Sequence, residues 1–240
     1  MCLIVFAWRV IPGMPLVAAA NRDEFFERPA APAGWWQDHP DVYAGRDLHA
    51  GGTWIGITRD GRFAAITNVR APAEKRPDAP TRGRIVADFL AGHSAPADYL
   101  DDLARDADRY NGFNLLLGDA DAMYWYSNRS DDPRNGKPLE PGVYGLSNAA
   151  LDTPWPKVVR TKAQFASLLC QGAPKEAYFE MLTDTTVASD CRLPDTGVGL
   201  EWERRLSPVF IDSPGYGTRS STVVQLFQPN TALLFEQVVR

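Results

Sequence analysis

An α+β fold, with layers of antiparallel sheet covered by helices, is what this sequence predicts, on three observations. Both ends of the chain break into short apolar runs punctuated by Pro, Gly and Asp-Gly, the pattern of hairpins. The middle carries segments with helical spacing of apolar residues. No Gly-rich loop of the GxxxxGK or GxGxxG kind is present, so neither a P-loop nor a dinucleotide βαβ unit is signalled. The chain has 240 residues, 45% of them hydrophobic and 23% charged. That is ordinary globular composition, and the length suffices for a core without staples. A single domain over 1–240 is expected.

The elements follow in order. Residues 2–8 and 16–20 flank Ile11-Pro12-Gly13-Met14, and the expected product is a hairpin with a central strand. Residues 54–58 and 62–68 flank Asp60-Gly61, a second hairpin. Residues 71–80 are Pro-rich and charged and read as loop. Residues 81–90 form a helix with Ile85, Val86, Phe89 and Leu90 on one face, and Ser94 is the expected N-cap of a helix to 105. Strands are expected at 113–118, 123–127 and 143–148. Thr153-Pro154 opens a helix to about Cys170, with Val158, Val159, Phe165 and Leu168 or Leu169 inward. A helix over 174–182 and strands over 215–224 and 233–239 complete the chain.

Charge and spacing exclude several functions. The net charge of −5 argues against a nucleic-acid footprint. Cys2, Cys170 and Cys191 make no secreted disulfide framework. No apolar run approaches the roughly 20 residues of a membrane span, and the N-terminus lacks a cationic leader. A cytoplasmic protein is expected. His39, His49 and His93 are scattered, without HExxH or CxxC spacing, so no metal site and no cofactor are expected.

Two features carry chemistry. Cys2 follows Met1, and its small side chain favours removal of the initiator. One residue would then offer a thiolate nucleophile and an α-amine of pKa about 7.7–8 as base. Cys2 also reads as a small hydrophobe opening a core strand. The second feature is Asn21-Arg22-Asp23-Glu24, four polar residues ending an apolar strand. They read as a solvated loop with an Asx turn, or as a site, because the hairpin returns Arg22 and Asp23 to the level of residue 2. There a guanidinium lowers a thiol pKa and a carboxylate holds an ammonium.

Met1-Cys2 with Asn21-Arg22-Asp23-Glu24 resembles the NRDE family, also called the transport and Golgi organisation family. Other segments agree: Gly45-Arg46-Asp47, Gly51-Gly52-Thr53-Trp54, Thr67-Asn68-Val69-Arg70, Thr81-Arg82-Gly83, Asn111-Gly112-Phe113-Asn114, Leu146-Ser147-Asn148, Leu151-Asp152-Thr153-Pro154-Trp155-Pro156-Lys157, and Tyr216-Gly217-Thr218-Arg219-Ser220-Ser221-Thr222. That family is similar in outline to N-terminal-nucleophile hydrolases of the choloylglycine hydrolase and penicillin V acylase type. The resemblance implies an Ntn-hydrolase-like four-layer αββα sandwich of antiparallel sheets. It implies Cys2 as nucleophile, Arg22 and Asp23 beside it, Asn68 and Asn148 on the oxyanion side, and Arg219 as a late active-site arginine. The acylases separate their Arg and Asp, whereas Arg22 and Asp23 are adjacent. Strand neighbours point to opposite faces, so one of them reaches Cys2 unless a bulge re-aims the other.

The expected partner is a small molecule. In one reading Cys2, after Met1 removal, hydrolyses an amide or other acyl bond. In the alternative, which the resemblance supplies, the same cavity serves a non-catalytic haem or acyl-lipid trafficking or chaperone protein. A catalytically retired fold kept for protein interactions is the third. Of the remaining residues, Trp54 reads as a core anchor behind a Gly-Gly turn, and Asn111 and Asn114 read as turn residues.

Overall fold

The computed structural model describes residues 2–228 and 231–239, with Cys2 given by its backbone alone. Strands β1 (Cys2–Ile11) and β2 (Met14–Phe25) form the first hairpin, closed by Gly13 at a φ of 76°. Then come β3 (Ala30–Trp35), β4 (Val42–Asp47), β5 (Ile55–Thr58) and β6 (Phe63–Asn68). Helices α1 (Gly83–Ala91) and α2 (Pro96–Asp106) precede β7 (Phe113–Gly118), β8 (Met123–Ser127) and β9 (Gly142–Leu146). Helices α3 (Pro156–Cys170), α4 (Lys175–Met181) and α5 (Leu200–Arg205) lead into β10 (Asp212–Ser213), β11 (Tyr216–Phe227) and β12 (Thr231–Val238).

The strands make two antiparallel sheets of six. One runs β10-β11-β2-β1-β9, with β12 also on β11; the other runs β3-β4-β5-β6-β7-β8. Alternation assigns the two faces of β1 and β2. Ile4, Phe6, Trp8, Leu16 and Ala18 meet Ile55, Ile57, Phe63, Leu116 and Trp125 between the sheets. Leu3, Val5, Ala7, Val17 and Ala19 meet Val158, Phe165, Tyr178 and Phe179 of α3 and α4. On the far side, Ala64, Leu115 and Leu117 pack on Ile85, Val86, Phe89 and Leu100 of α1 and α2. The order is therefore helices, sheet, sheet, helices, the αββα sandwich expected. Strands β1 and β2 are buried on both faces, which is why they read as unbroken apolar runs.

Several boundaries differ from expectation. The helix expected from Ser94 starts at Pro96, with Ala95 as its N-cap and no side-chain cap. The helix expected from Pro154 starts at Pro156, because Trp155 holds extended backbone at a ψ of 143°. Val159, expected inward, is 47% exposed; Val158, Phe165 and Leu169 carry the buried face. Strands β3 and β4 were not legible. Ala30–Trp35 holds Pro32 and Gly34 among alanines, a composition poor in strand formers, and it is tolerated because β3 lies at a sheet edge.

The loop after β4 reaches α1 through two glycines. The Thr53 amide donates to Gly83 O at 3.1 Å, and a Cβ on Gly52 would stand 2.3 Å from the Gly83 carbonyl carbon. Only backbone fits there. Gly52→Ala is expected to cost roughly 1–3 kcal/mol by overpacking, read as a lowered urea midpoint at unchanged slope. Gly34→Ala, where a Cβ meets nothing within 4 Å, is the control and should move the midpoint far less. Equal effects would contradict this packing.

Candidate functional site

The hairpin register sets Cys2 opposite Arg22, and Leu3 opposite Asn21. On its other edge β2 pairs with β11, where Asp23 faces Thr218 and Arg22 faces Ser220. Arg219 is the extra residue, so a bulge is present, but it lies in β11 and leaves the alternation of β2 intact. Arg22 and Asp23 therefore diverge, as strand neighbours must. The Arg22 guanidinium lies between the sheets, 4.1 Å from the centroid of the Trp54 ring. The Asp23 carboxylate lies on the helix side.

Asp23 is 1% exposed. Its Oδ1 accepts from Thr218 Oγ1 at 2.7 Å, and Tyr216 Oη donates to its main-chain oxygen at 3.3 Å. Burial pushes the carboxyl above the usual carboxylate range; Lys157, Thr218 and Arg70 oppose this. Lys157, in the first turn of α3, is 2% exposed, and its Nζ donates to Leu206 O at 3.0 Å. Arg70 donates to Glu203 Oε2 at 2.5 Å, both side chains being 3% exposed, and lies 4.6 Å over the Trp155 ring. Two basic and two acidic side chains are thus buried here, Asp23, Lys157, Arg70 and Glu203, and the Arg70–Glu203 pair follows the rule that buried charges are compensated. Asn21, on the same face, donates to Leu182 O and Val209 O and accepts from Ser221.

Between the sheets the Arg22 end of β2 opens on a cleft of about 100 Å³, whose wall includes Glu24, Arg28, Trp54, Asn68 and Arg82. The ring of Trp54 covers Gly45, where a Cβ would fall 2.4 Å from it. The sequence reading of Trp54 as a core anchor is thus half of its role; the other half is carrying Arg22. Arg28, which sequence reasoning missed, donates twice to Asp47 Oδ2, at 2.9 and 2.7 Å. Burial raises the Asp47 carboxyl, yet Arg28 and the amides of Ala50 and His49 outweigh it and hold it below its ordinary range. Arg82 donates to Gly112 O at 2.9 Å. Asn68 and Arg82 also line an adjoining pocket of about 210 Å³ with Val69, Pro72, Asn111 and Val198. A larger cleft of about 310 Å³ around His39 and His93, at the other end of the second sheet, holds none of the residues predicted from sequence.

The cleft thus brings together Arg22 and Asn68, with β1 starting beside it; Asp23 borders it, but its carboxylate faces the helix side. Asn148 and Arg219 stand one bond behind its wall. Asn148, 1% exposed, donates from Nδ2 to Asn68 O at 2.8 Å, and its own main-chain oxygen accepts from Arg70 N. Arg219 donates to the main-chain oxygens of Phe25 and Arg28. Asn114 is not a turn residue: it sits in β7, fully buried, and donates to Thr67 Oγ1 and Ala149 O, tying β7 to the segment after β9. The Cys2 side chain lies outside the described residues. Among the described residues no group of three or more His, Cys, Asp or Glu could hold a metal ion, and no helix is long and apolar enough to cross a membrane.

The family model described as Transport and Golgi organisation 2 matches residues 1–240. A Bos taurus Transport and Golgi organization protein 2 homolog is 37% identical over 93% of this chain and 88% of its own length. The Homo sapiens homolog is 35% identical with the same coverage. The Drosophila melanogaster Transport and Golgi organization protein 2 is 29% identical over 100% of this chain and 92% of its own length. Among solved structures, a Caenorhabditis elegans N-acylethanolamine-hydrolyzing acid amidase ortholog is similar at a TM-score of 0.48 and 10% identity, covering both chains fully. A mutant conjugated bile acid hydrolase from Clostridium perfringens is similar at 0.46 and 9%, covering 100% of this chain and 92% of its own.

The Arg28–Asp47 pair sets an acid limit. A carboxyl held below its unfolded pKa of about 3.9 contributes stability above that value and loses it as pH falls through the folded pKa. Asp47→Asn should therefore lower the melting temperature at neutral pH and flatten the loss of stability below about pH 4. An unchanged acid limb in the variant would contradict the assignment.

Proposed function

The chain belongs to the Transport and Golgi organisation 2 family, and we propose that it is an N-terminal-nucleophile cysteine hydrolase acting on an amide or other acyl bond through Cys2 after removal of Met1. The observation that supports this reading is the backbone register that sets Cys2 opposite Arg22, a residue that lines a polar cleft between the sheets. In this reading Arg22, held by the Trp54 ring, stabilises the thiolate. The thiolate attacks the carbonyl carbon, and the Asn68 amide donates to the developing oxyanion. One such donor is worth about 3–4 kcal/mol of barrier. The α-amine of Cys2 takes the thiol proton and passes it to the leaving amine. Water then cleaves the thioester, regenerating the thiol.

The roles of the other three predicted residues divide by place. Asp23 contributes its charge from the helix side of the sheet. Asn148 positions Asn68 through its carbonyl, and Arg219 positions Arg28. The pocket beyond Asn68 extends the cleft, so a substrate longer than its scissile bond is accommodated on that side.

Two measurements on one sample test the proposal. Intact mass should show loss of Met1. Alkylation by iodoacetamide, resolved by peptide mapping so that Cys170 and Cys191 are followed separately, should show Cys2 titrating well below the unperturbed thiol value of about 8.5. Arg22→Met should slow modification of Cys2 at pH 6.5 by at least about tenfold. Retained Met1, or a Cys2 inflection at or above 8.5, would contradict hydrolysis and favour a non-catalytic haem or acyl-lipid trafficking role for the same cavity.

A further inference from the structure

The edge of a sheet presents backbone N–H and C=O groups that another strand can take up, and natural proteins cover or blunt such edges. Most edges here are covered. On β9 the amide of Gly145 donates to Asp152 Oδ1 at 3.0 Å, and its oxygen accepts from Asp152 N at 2.8 Å. On β8 the oxygens of Met123 and Trp125 accept from Leu139 N and Gly136 N. The Asn135 side chain bonds both main-chain groups of Ser127. Strand β3 is interrupted by Pro32, and its Ala33 amide donates to Glu236 Oε2 at 2.7 Å. Strand β12 is different. It pairs with β11 over Thr231–Val238 without a shift of register, and it holds no Pro, Lys or Arg. Among the described residues, no hydrogen bond reaches its outer side.

The phase of the ladder decides which groups face outward. Val239 N donates to Arg219 O at 2.8 Å, in step with the register that sets Val238 opposite Ser220. Opposed residues of an antiparallel pair alternate between those that exchange both bonds and those that exchange none. The odd-numbered residues of β12 therefore bond to β11. Ala232, Leu234, Glu236 and Val238 turn their N–H and C=O groups away from it. We propose that this edge is the interface with a second copy of the chain, β12 pairing antiparallel with itself across a two-fold axis and joining two six-stranded sheets into one.

The residues of β12 fit a second copy in one register. A two-fold axis makes the interface self-complementary, so if one residue opposes another, the second opposes the first. With the axis at Phe235, Ala232 meets Val238 and Leu234 meets Glu236. Every outward group is then used, in about eight main-chain hydrogen bonds. Glu236, the one charged residue of the strand, faces Leu234 and not its own copy. Moving the axis to Glu236 opposes two like charges, which is unfavourable. Moving it to Leu234 carries Val238 past the end of the partner strand. On the helix-side face, the Phe235 axis sets Phe235 against its copy and the exposed Leu233 against the exposed Gln237. The interface is independent of the hydrolase reading.

The Leu233–Gln237 contact provides the test, since it occurs twice in the dimer and both side chains are exposed. Leu233→Lys with Gln237→Lys places like charges at both contacts, whereas Leu233→Lys with Gln237→Glu places opposite charges there. Sedimentation velocity on the full chain over a range of concentrations should show a dimer for the parent. The Lys–Lys variant should dissociate roughly tenfold more readily than the Lys–Glu variant, with matched melting temperatures. Residue-resolved amide exchange on the parent is the second readout. The amides of Ala232, Leu234, Glu236 and Val238 should be protected in the dimer and exposed on dilution, while those of Leu233, Phe235 and Gln237 stay protected throughout. If a variant does not fold, this measurement decides alone. A parent that is monomeric at every concentration would overturn the proposal and leave the edge to a strand from another protein. A dimer that both variants weaken equally, or in which the outward amides exchange freely, would also overturn it by placing the contact on another surface.

Discussion

Strand β2 must carry two ionisable side chains, one basic and one acidic, at adjacent positions while buried on both faces. That is the constraint around which the rest of this end of the molecule is arranged. Asp23 is 1% and Arg22 7% exposed, and strand geometry forbids them from neutralising each other, since their side chains leave on opposite faces. Each therefore needs its own environment. Arg22 is received between the sheets by the face of Trp54, an arrangement worth about 0.5–2 kcal/mol depending on desolvation. Asp23 is received on the helix side by Thr218, whose hydroxyl donates to its carboxyl.

Much of the surrounding architecture follows from these two requirements. Trp54 can reach Arg22 only because Gly45 leaves room for the ring, and the loop bearing it is fixed where Gly52 and Gly83 touch backbone to backbone. On the other face, Lys157 in the first turn of α3 donates to Leu206 O just past the end of α5, which fixes the two helices to each other. Arg70 and Glu203 then bind the end of β6 to α5, while Asn148 binds it to β9. The two faces of one dipeptide thus recruit both sheets and both sets of helices.

The sequence makes the frame legible where physics acts locally. The Asp60-Gly61 and Pro12-Gly13 turns, the apolar face of α1 and the strands β7 and β8 all declare themselves through spacing. Strand β3 does not, because Ala, Pro and Gly are poor strand formers and only its pairing with β4 at the sheet edge holds it extended. The site was legible as a set of residues more than as roles. Asn148 and Arg219 are polar and lie at the right end of the fold, but their hydrogen bonds go to carbonyls of Asn68, Phe25 and Arg28. No local pattern encodes that. Arg28 and Glu203 carried no signal, because each draws its meaning from a partner 19 or 133 residues away. Lys157 was visible only as one letter in a longer motif, although a lysine directly after Pro-Trp-Pro at a helix start is itself an electrostatic anomaly.

The central claim is that Asp23 is a buried charge whose environment, and not its exposure to solvent, decides its protonation. The most direct test is the ¹³C shift of the Asp23 side-chain carboxyl followed by NMR as pH is raised from the acid limit of the fold. The account predicts an inflection clearly above the ordinary aspartate value of about 3.9. An inflection at or below that value would mean that Asp23 is solvated or over-compensated, and would contradict the arrangement of charges described for both faces of β2.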